Sequence, residues 1–549
     1  MSHDPDVIII GAGPVGLTLA NLLGLRQVEV TLIEARTELI DYPRAVGIDD
    51  EAMRVMQAIG LVDRVLPHTV PDQKIRLING DGKVIGEINP TMREFGWPRR
   101  NGFVQPLVDR VLLEGLQRFG HVDVRFGAEA VDITQTADRA TVTYQTADGS
   151  RRSISAKYVV AAEGGSSFTR KQLDISFDGE TRKARGLVID VANDPLGTPH
   201  AVFGGDPTRA YATLSLPHGI RRWEFTMHPD EPDELADDDA FVFGLLSGHV
   251  PAPESLQIIR RRIYAHHARI AGRFRVGRIL LAGDAAHVMP VVAGQGWNSG
   301  IRDAMNLGWK LAAIVQGRAD DSLIETYEEE RRGHVAAMVG LSLNMAKLMT
   351  NDSRIASSLR DVTAAVIDRF PRLKAKVSGQ GFKPMPRYDT GVVVPTPIPQ
   401  FKSIPVRDDV PRSTGTLFPQ PRVVGIDGAQ GLLDDIAGND WRVFVWNNDP
   451  TKFISASTAE LLPRLGASLV QIVPAVQLPW AAAEAGDGVQ VIGDPAGVFQ
   501  AWFDARPFSV IIVRPDHVVA AECLAQDLEA TLQKVFVAAR VARLPIMTS

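Results

Sequence analysis

Gly11-Ala12-Gly13-Pro14-Val15-Gly16 is a turn that can bring backbone against a pyrophosphate, and Glu34 is an acid that can accept from a pair of ribose hydroxyls. Gly11 permits the tight turn, Gly13 the close approach, and Gly16 close packing of the next helix on the strand. The free N–H groups of a helix starting there face phosphate charge. A second block lies far downstream. Gly283-Asp284 ends an apolar run, so one carboxylate is placed to accept from a ribityl or ribose hydroxyl. Beyond His287 and Pro290, Gly294-Gln295-Gly296-Trp297-Asn298 lets backbone N–H groups approach a flat ring, and a helix starting there favours negative charge. These are the needs of a reduced isoalloxazine. His287 and Trp297, each taken alone, read as packed residues. A third segment, Glu163-Gly164-Gly165-Ser166-Ser167, places an acid at another strand end.

The elements that position these groups are legible in outline. Asp6–Ile10 is a β-branched run expected to be a buried parallel strand, Leu17–Ala20 a packed helix, and Val28–Ile33 a second strand. Tyr158–Ala162 and Ile279–Ala282 repeat the buried-strand pattern. Residues 74–89 alternate around Asn79-Gly80-Asp81-Gly82 as a hairpin. Gln105-Pro106 starts a helix with Leu107, Val111, Leu112 and Leu116 on one stripe. Phe95–Asn101 is a loop rich in rings and cations, and Arg44 lies past the second strand in a proline-punctuated loop. The runs Arg260-Arg261-Arg262 and His266-His267 read as solvated or bland helix faces. Residues 312–383 look helical, with apolar spacing through Met338, Leu341, Leu343 and Leu348. The expected organisation is 1–175 and 273–383 as two parts of a Rossmann-like α/β dinucleotide-binding domain, 176–272 as an antiparallel-sheet substrate domain, 384–421 as a proline-rich linker, and 422–549 as a small α/β domain.

Composition narrows the classes. The 549 residues carry a formal net charge of −6, which argues against a nucleic-acid-binding surface. No apolar stretch is long enough to span a bilayer. The first strand begins within six residues, leaving no room for a signal peptide. Cys523 is the sole cysteine, so no intramolecular disulfide or CxxC site forms and a reducing cytoplasm is expected. No His, Cys or carboxylate spacing reads as a metal site, and none is expected.

The three glycine–acid segments resemble the motifs of the single-component FAD-dependent aromatic hydroxylases, the group typified by p-hydroxybenzoate hydroxylase. Longer strings, Leu39–Ala52, Phe95–Asn101, Asp190–Pro195, Lys383–Pro386 and Val513–Asp516, resemble those members that act on 3-(3-hydroxyphenyl)propionate and 3-hydroxycinnamate. The resemblance covers nearly the whole chain, including a thioredoxin-like tail without redox cysteines. It implies FAD held by Gly11, Gly13, Gly16, Glu34, Arg36, Arg44, Gln105, Glu163, Asp284, Pro290, Gly294, Gln295, Gly296 and Asn298. Two positions depart from the usual pattern: Glu163 replaces Asp, and Val291 replaces the second of a proline pair. The implied reaction is ortho-hydroxylation of a phenol with NADH or NADPH and O2. His200, Tyr211 and His287 are unranked candidates for the phenol's base, and Pro290 is a candidate carbonyl partner for its hydroxyl. Arg99, Arg100, Arg221 and Arg222 are candidates for a carboxylate clamp, with Trp297 beside the substrate. The tail domain is expected to be structural or an oligomer contact, which a homodimer would satisfy.

Overall fold

The computed structural model describes residues 4–206, 208–291, 294–349, 370, 383–395 and 411–542. It is a mixed α/β chain that divides into two units. One comprises residues 1–92, 98–304 and 335–384; the other comprises 93–97, 305–334 and 385–549. The parts of the expected 312–383 helical stretch and 384–421 linker at 350–369, 371–382 and 396–410 lie outside the described residues.

In the first unit, the β-branched run forms the strand Val7–Ile10, buried on both faces and flanked in parallel register by Tyr158–Ala161 and Val30–Glu34. The six-stranded sheet runs Arg275–Val276, Ile279–Leu281, Tyr158–Ala161, Val7–Ile10, Val30–Glu34, Val122–Phe126. Parallel strands are buried on both sides because their crossovers lay helices on them. Here the helix Pro14–Leu25 packs on Gln105–Gly115, with Asn21 Nδ2 donating to the Leu112 carbonyl at 2.9 Å. The opposite face is covered by a three-stranded sheet, joining Ile8, Ile10 and Ile33 to Ile133, Val142 and Tyr144 in one apolar cluster. The buried stripe of Gln105–Gly115 is Val108, Val111 and Leu112; Leu107 lies only partly in it.

An eight-stranded sheet forms the second layer, in the order His287–Val288, Ile258–Ala271, Phe177–Val191, Ile220–Met227, Tyr211–Leu216, Ala201–Gly205, Ile75–Asn79, Val84–Ile88. The early hairpin therefore extends this sheet, joined through the parallel pair of Ala201–Gly205 and Ile75–Asn79. Arg260–Arg262 and His266-His267 fall on its long strand and not on a helix. Alternation along that strand buries His266 and exposes His267. One face of the sheet packs Leu187, Ile189, Trp223 and Phe225 beneath the helix Asp239–Ser247.

The second unit holds a seven-stranded mixed sheet. Within it, Ala467–Pro474, Trp441–Trp446, Val510–Val513 and Val519–Cys523 lie side by side, the first pair parallel and the rest antiparallel. This 2-1-3-4 order is thioredoxin-like. Its core is Phe418, Phe444, Val470, Ile492, Phe499 and Ile511, and Cys523 is buried. Tyr388 and Val393, from the proline-rich stretch, join Val518 in a smaller cluster of the same unit.

Candidate flavin site

The glycine turn is built as its residue types demand. Gly11 has φ +106°, and a Cβ on it would stand 2.5 Å from the Ala162 carbonyl oxygen. A Cβ on Gly16 would stand 2.0 Å from the Gly11 carbonyl oxygen, which fixes strand and helix at backbone contact. Gly13 differs: a Cβ there would meet nothing within 4 Å. The space over Gly13 is therefore open where a pyrophosphate can lie. Glu34, at the end of its strand, accepts from Ala12 N at 2.8 Å and Arg36 N at 2.9 Å, which aims its carboxylate at the turn.

The loop after the second strand is held by Gln105, whose Oε1 accepts from Ala45 N at 2.8 Å and Arg44 N at 3.2 Å. Arg44 reaches Asp284 at 3.6 Å, an open ion pair of small energetic weight that brings two of the expected residues together. Asp284 sits on a single turn after the strand Ile279–Leu281. Asn298, in the first turn of the helix Gly296–Val315, donates to the carbonyls of Gly294 (2.8 Å) and Gly47 (3.1 Å) and accepts from Asp49 N (3.1 Å). Gly47 and Gly294 both leave open space over their Cα atoms, so a flat ring can approach either. Nearby, Gln295 Oε1 and Trp297 Nε1 are shielded from water and lack hydrogen-bond partners. Open glycine cradles, two strand-end carboxylates and a helix start with unspent polar atoms fit a flavin dinucleotide.

Glu163 is placed differently from a free strand-end acid. It accepts from Ser167 Oγ, from Thr169 N at 3.1 Å and from Thr169 Oγ1 at 2.9 Å. Burial raises its pKa against those bonds. Pro290 is buried and Val291 exposed.

The sheet gives several of the substrate-side candidates partners within the protein. His287 is wholly buried, its Nε2 2.7 Å from Asp303 Oδ2, and that same oxygen accepts from Gly283 N at 3.0 Å. Asp303 thus links the His287 ring to the backbone of the Gly283 turn. Tyr211 pairs with Phe225 across two strands and stacks edge-on to His249 at 4.3 Å, which puts it on the helix-covered face. His200 is bound by Arg76 at 3.1 Å, at the start of its strand. Arg221 is consumed by Asp194 (Nη2 to Oδ2 2.9 Å), and Arg222 by Asp190, at 2.7 and 2.9 Å. Both arginines are buried, and their charge is matched by these carboxylates. Trp297 packs on Phe103 with ring centres 5.0 Å apart, and Arg99 is buried near Met92.

What sequence reading missed is how Arg222 is used. Its Nη2 also donates to the Pro43 carbonyl at 2.6 Å, as does Arg260 Nη1 at 2.9 Å, while Arg262 donates to Tyr42 Oη at 3.1 Å. Tyr264 Oη donates to Glu224 at 3.1 Å beside them. The Tyr42–Arg44 loop is thereby tied to the non-helical face of the eight-stranded sheet. On that face Val46 joins Leu77, Phe203, Ala212 and Leu214 in an apolar wall. No sequence signal marks these residues, since they meet only through strand register.

The carboxylates Asp49, Asp50 and Glu51 also converge, with ligand atoms within 4.8 Å of one another. Arg302 pairs with Asp49 and with Glu51 (2.6 Å), and Lys383 holds the same two at 2.9 and 3.0 Å. Their charge is thus matched by protein cations. Burial, with Asp49 and Glu51 adding to it, pushes Asp50 up to about 7 against the pull of Lys383. A carboxyl raised in the folded state is favourable when protonated, so its stability contribution falls as pH rises from about 4 to about 7. Asp50→Asn is expected to stabilise the protein at pH 8 more than at pH 5, read by thermal melts at the two values; equal shifts would defeat this.

Residues 4–342 match the FAD binding domain family model, and 415–538 match the HcaD C-terminal domain. The chain is 49% identical over 536 residues to a 3-(3-hydroxyphenyl)propionate/3-hydroxycinnamic acid hydroxylase of Mycolicibacterium gilvum, covering 97% of this chain and 92% of that one. The chain belongs to this hydroxylase family. An Escherichia coli member is 43% identical, covering 97% of this chain and 95% of its own length. Solved structures of aklavinone-11 hydroxylase with FAD and aklavinone (TM-score 0.75, 24% identity, 97% and 99% covered) and of Streptomyces rimosus anhydrotetracycline hydroxylase (0.73, 22%, 97% and 98%) share the hydroxylase's fold. The protein is an FAD-dependent monooxygenase. No helix among the described residues of the hydroxylase is long and apolar enough to cross a membrane.

Proposed function

We propose that the protein hydroxylates 3-(3-hydroxyphenyl)propionate and 3-hydroxycinnamate at the ring carbon ortho to the phenol, giving 2,3-dihydroxy products. NAD(P)H, a proton and O2 are consumed, and NAD(P)+ and water are released. The observation that carries this reading is 49% identity over 97% of the chain to a hydroxylase bearing that name. FAD, when bound, supplies reducing equivalents and the activation of O2.

The chain's own residues bind, orient and shield. Gly11, Gly13 and Gly16 with the start of Pro14–Leu25 hold the pyrophosphate; Glu34 takes the ribose hydroxyls, with Arg36 fixing its carboxylate through a backbone N–H. Arg44, Gln105 and Asp284 line the middle of the cofactor, and Pro290, Gly294–Gly296 and Asn298 lie at the ring. Glu163 acts through its bonds to Ser167 and Thr169, as a brace for the strand end. The wall of Val46, Leu77, Phe203, Ala212 and Leu214 receives the aromatic ring and excludes water. The reading places the enzyme in a reducing cytoplasm, in keeping with Cys523 as its sole cysteine.

The test is NADH oxidation and oxygen uptake by purified, FAD-loaded protein with 3-(3-hydroxyphenyl)propionate. The expected result is strong stimulation with one 2,3-dihydroxy product per NADH. Stimulation yielding only hydrogen peroxide, or none at all, would assign the site to a different phenol.

A further inference from the structure

Arg100 is a partly buried cation for which the fold supplies no side-chain partner among the described residues. It opens the strand Arg100–Phe103, its backbone opposite Asp49, and its carbonyl accepts from Gln73 N at 3.1 Å. Its guanidinium makes no hydrogen bond or ion pair with any described residue, and its Nε is shut off from water without a partner. Burial pushes it down to about 10, with no carboxylate acting back. Three buried arginines of the same unit behave otherwise: Arg221 holds Asp194, Arg222 holds Asp190, and Arg302 holds Asp49 and Glu51. A guanidinium partly withdrawn from water without an anion is unfavourable, so one kept in that state is suited to an anion arriving from outside.

Its position specifies which anion. Two residues along the strand, Gly102 lies opposite Gly47, whose carbonyl is held by Asn298 at the ring end of the flavin site. On the other side, Gln73 Nε2 donates to the Ser215 carbonyl at 2.6 Å, which ties this segment to the strand Tyr211–Leu216. That strand contributes Ala212 and Leu214 to the apolar wall with Val46. The unmatched cation therefore belongs to the same neighbourhood as the ring end and the wall. A ligand suited to it is an aromatic ring carrying a carboxylate on a short arm. We propose that Arg100 receives the side-chain carboxylate of the arylpropionate substrate and sets the preference for acids over neutral phenols. This role deepens the proposed function and rests on it.

The experiment titrates FAD-loaded enzyme with 3-(3-hydroxyphenyl)propionate and with 3-ethylphenol, following the flavin absorbance change. In Arg100→Gln the Kd of the acid is expected to rise by about 30- to 100-fold, with that of 3-ethylphenol changing less than about threefold. Arg100→Lys keeps the charge and loses the planar fork, so the acid should weaken by roughly five- to tenfold. Equal weakening of both ligands, or an unchanged Kd for the acid, overturns the proposal. Should Arg100→Gln fail to hold FAD, the same comparison in Arg100→Lys decides it. Wild-type enzyme that turns over neither acid defeats the proposed function itself, a result visible before any variant is made.

Discussion

Gly13→Ala is expected to yield a protein that folds normally and has lost FAD. In the protein itself a Cβ at Gly13 meets nothing within 4 Å, and its φ of −74° suits any residue. Removing a glycine at such a position stabilises by about 0.5 kcal/mol through the unfolded chain. The same methyl projects over the start of Pro14–Leu25, where the pyrophosphate must come closest. Overpacking of that contact costs about 3 kcal/mol, on the order of 100-fold in FAD affinity. Gly16→Ala is the contrasting control. Its Cβ would press on the Gly11 carbonyl at 2.0 Å and Ile9 Cγ2 at 3.2 Å, so strand and helix must part and stability falls together with FAD binding. Thermal melts of the apoproteins and flavin titration separate the two outcomes. A Gly13→Ala protein with wild-type FAD affinity would remove the turn from the cofactor site.

Glu330→Ala should destabilise the second unit severely. Glu330 is wholly buried and accepts from both terminal nitrogens of Arg514 at 2.7 Å, from Lys310 Nζ and Asn306 Nδ2 at 2.7 Å, and from Val392 N at 2.8 Å. Truncation would leave two buried cations short of their shared anion, a loss of about 3–5 kcal/mol. Arg514 retains its bonded carboxylate Asp516, whereas Lys310 retains a hydrogen bond to neutral Asn306 and the more distant charge of Asp516, so Lys310 is the greater sufferer. The same network fixes a pH dependence. Burial alone would raise the Glu330 carboxyl, but the charges of Arg514 and Lys310 and their hydrogen bonds overcome it and hold it at about 2. A carboxyl lowered in the folded state contributes fully above its ordinary value and loses that contribution as pH falls from about 4.5 to about 2. In Glu330→Gln, stability of the unit should therefore be flatter over that window. Urea melts at pH 6 and pH 3 read both effects; a wild-type slope in the variant would refute the assignment.

Local features were legible because one stretch of chain carries the whole signal. Val7–Ile10, the glycine turn and Pro14–Leu25 are adjacent in sequence, so residue type alone dictated the buried strand, the positive φ at Gly11 and the open face at Gly13. The second block at Gly283–Asn298 was readable for the same reason, and its use of Asn298 to bind Gly47 reflects a short polar side chain at a helix start. The tail was visible as a small α/β domain from its alternating strands and helices, its thioredoxin-like character only through the family resemblance, and its seven-stranded sheet not at all.

Which face a strand residue occupies was not legible. Tyr211, Arg221 and Arg222 are the right residue types for a substrate pocket, but a period of two makes face a matter of register against strands far away in the chain. Register put Tyr211 under a helix and joined Arg222 to Asp190 and Pro43. The burial of His287 against Asp303 was not legible either, since the two meet only in the folded chain. Charge matching distinguishes the arginines, because only the folded chain shows which cations face neighbouring carboxylates. By itself the sequence determined the cofactor and the class of chemistry, through contiguous motifs. The tertiary structure alone shows which of these polar side chains are consumed in holding the scaffold, because their carboxylate partners come from distant strands and helices, and it is the ground on which Arg100 is proposed for a ligand.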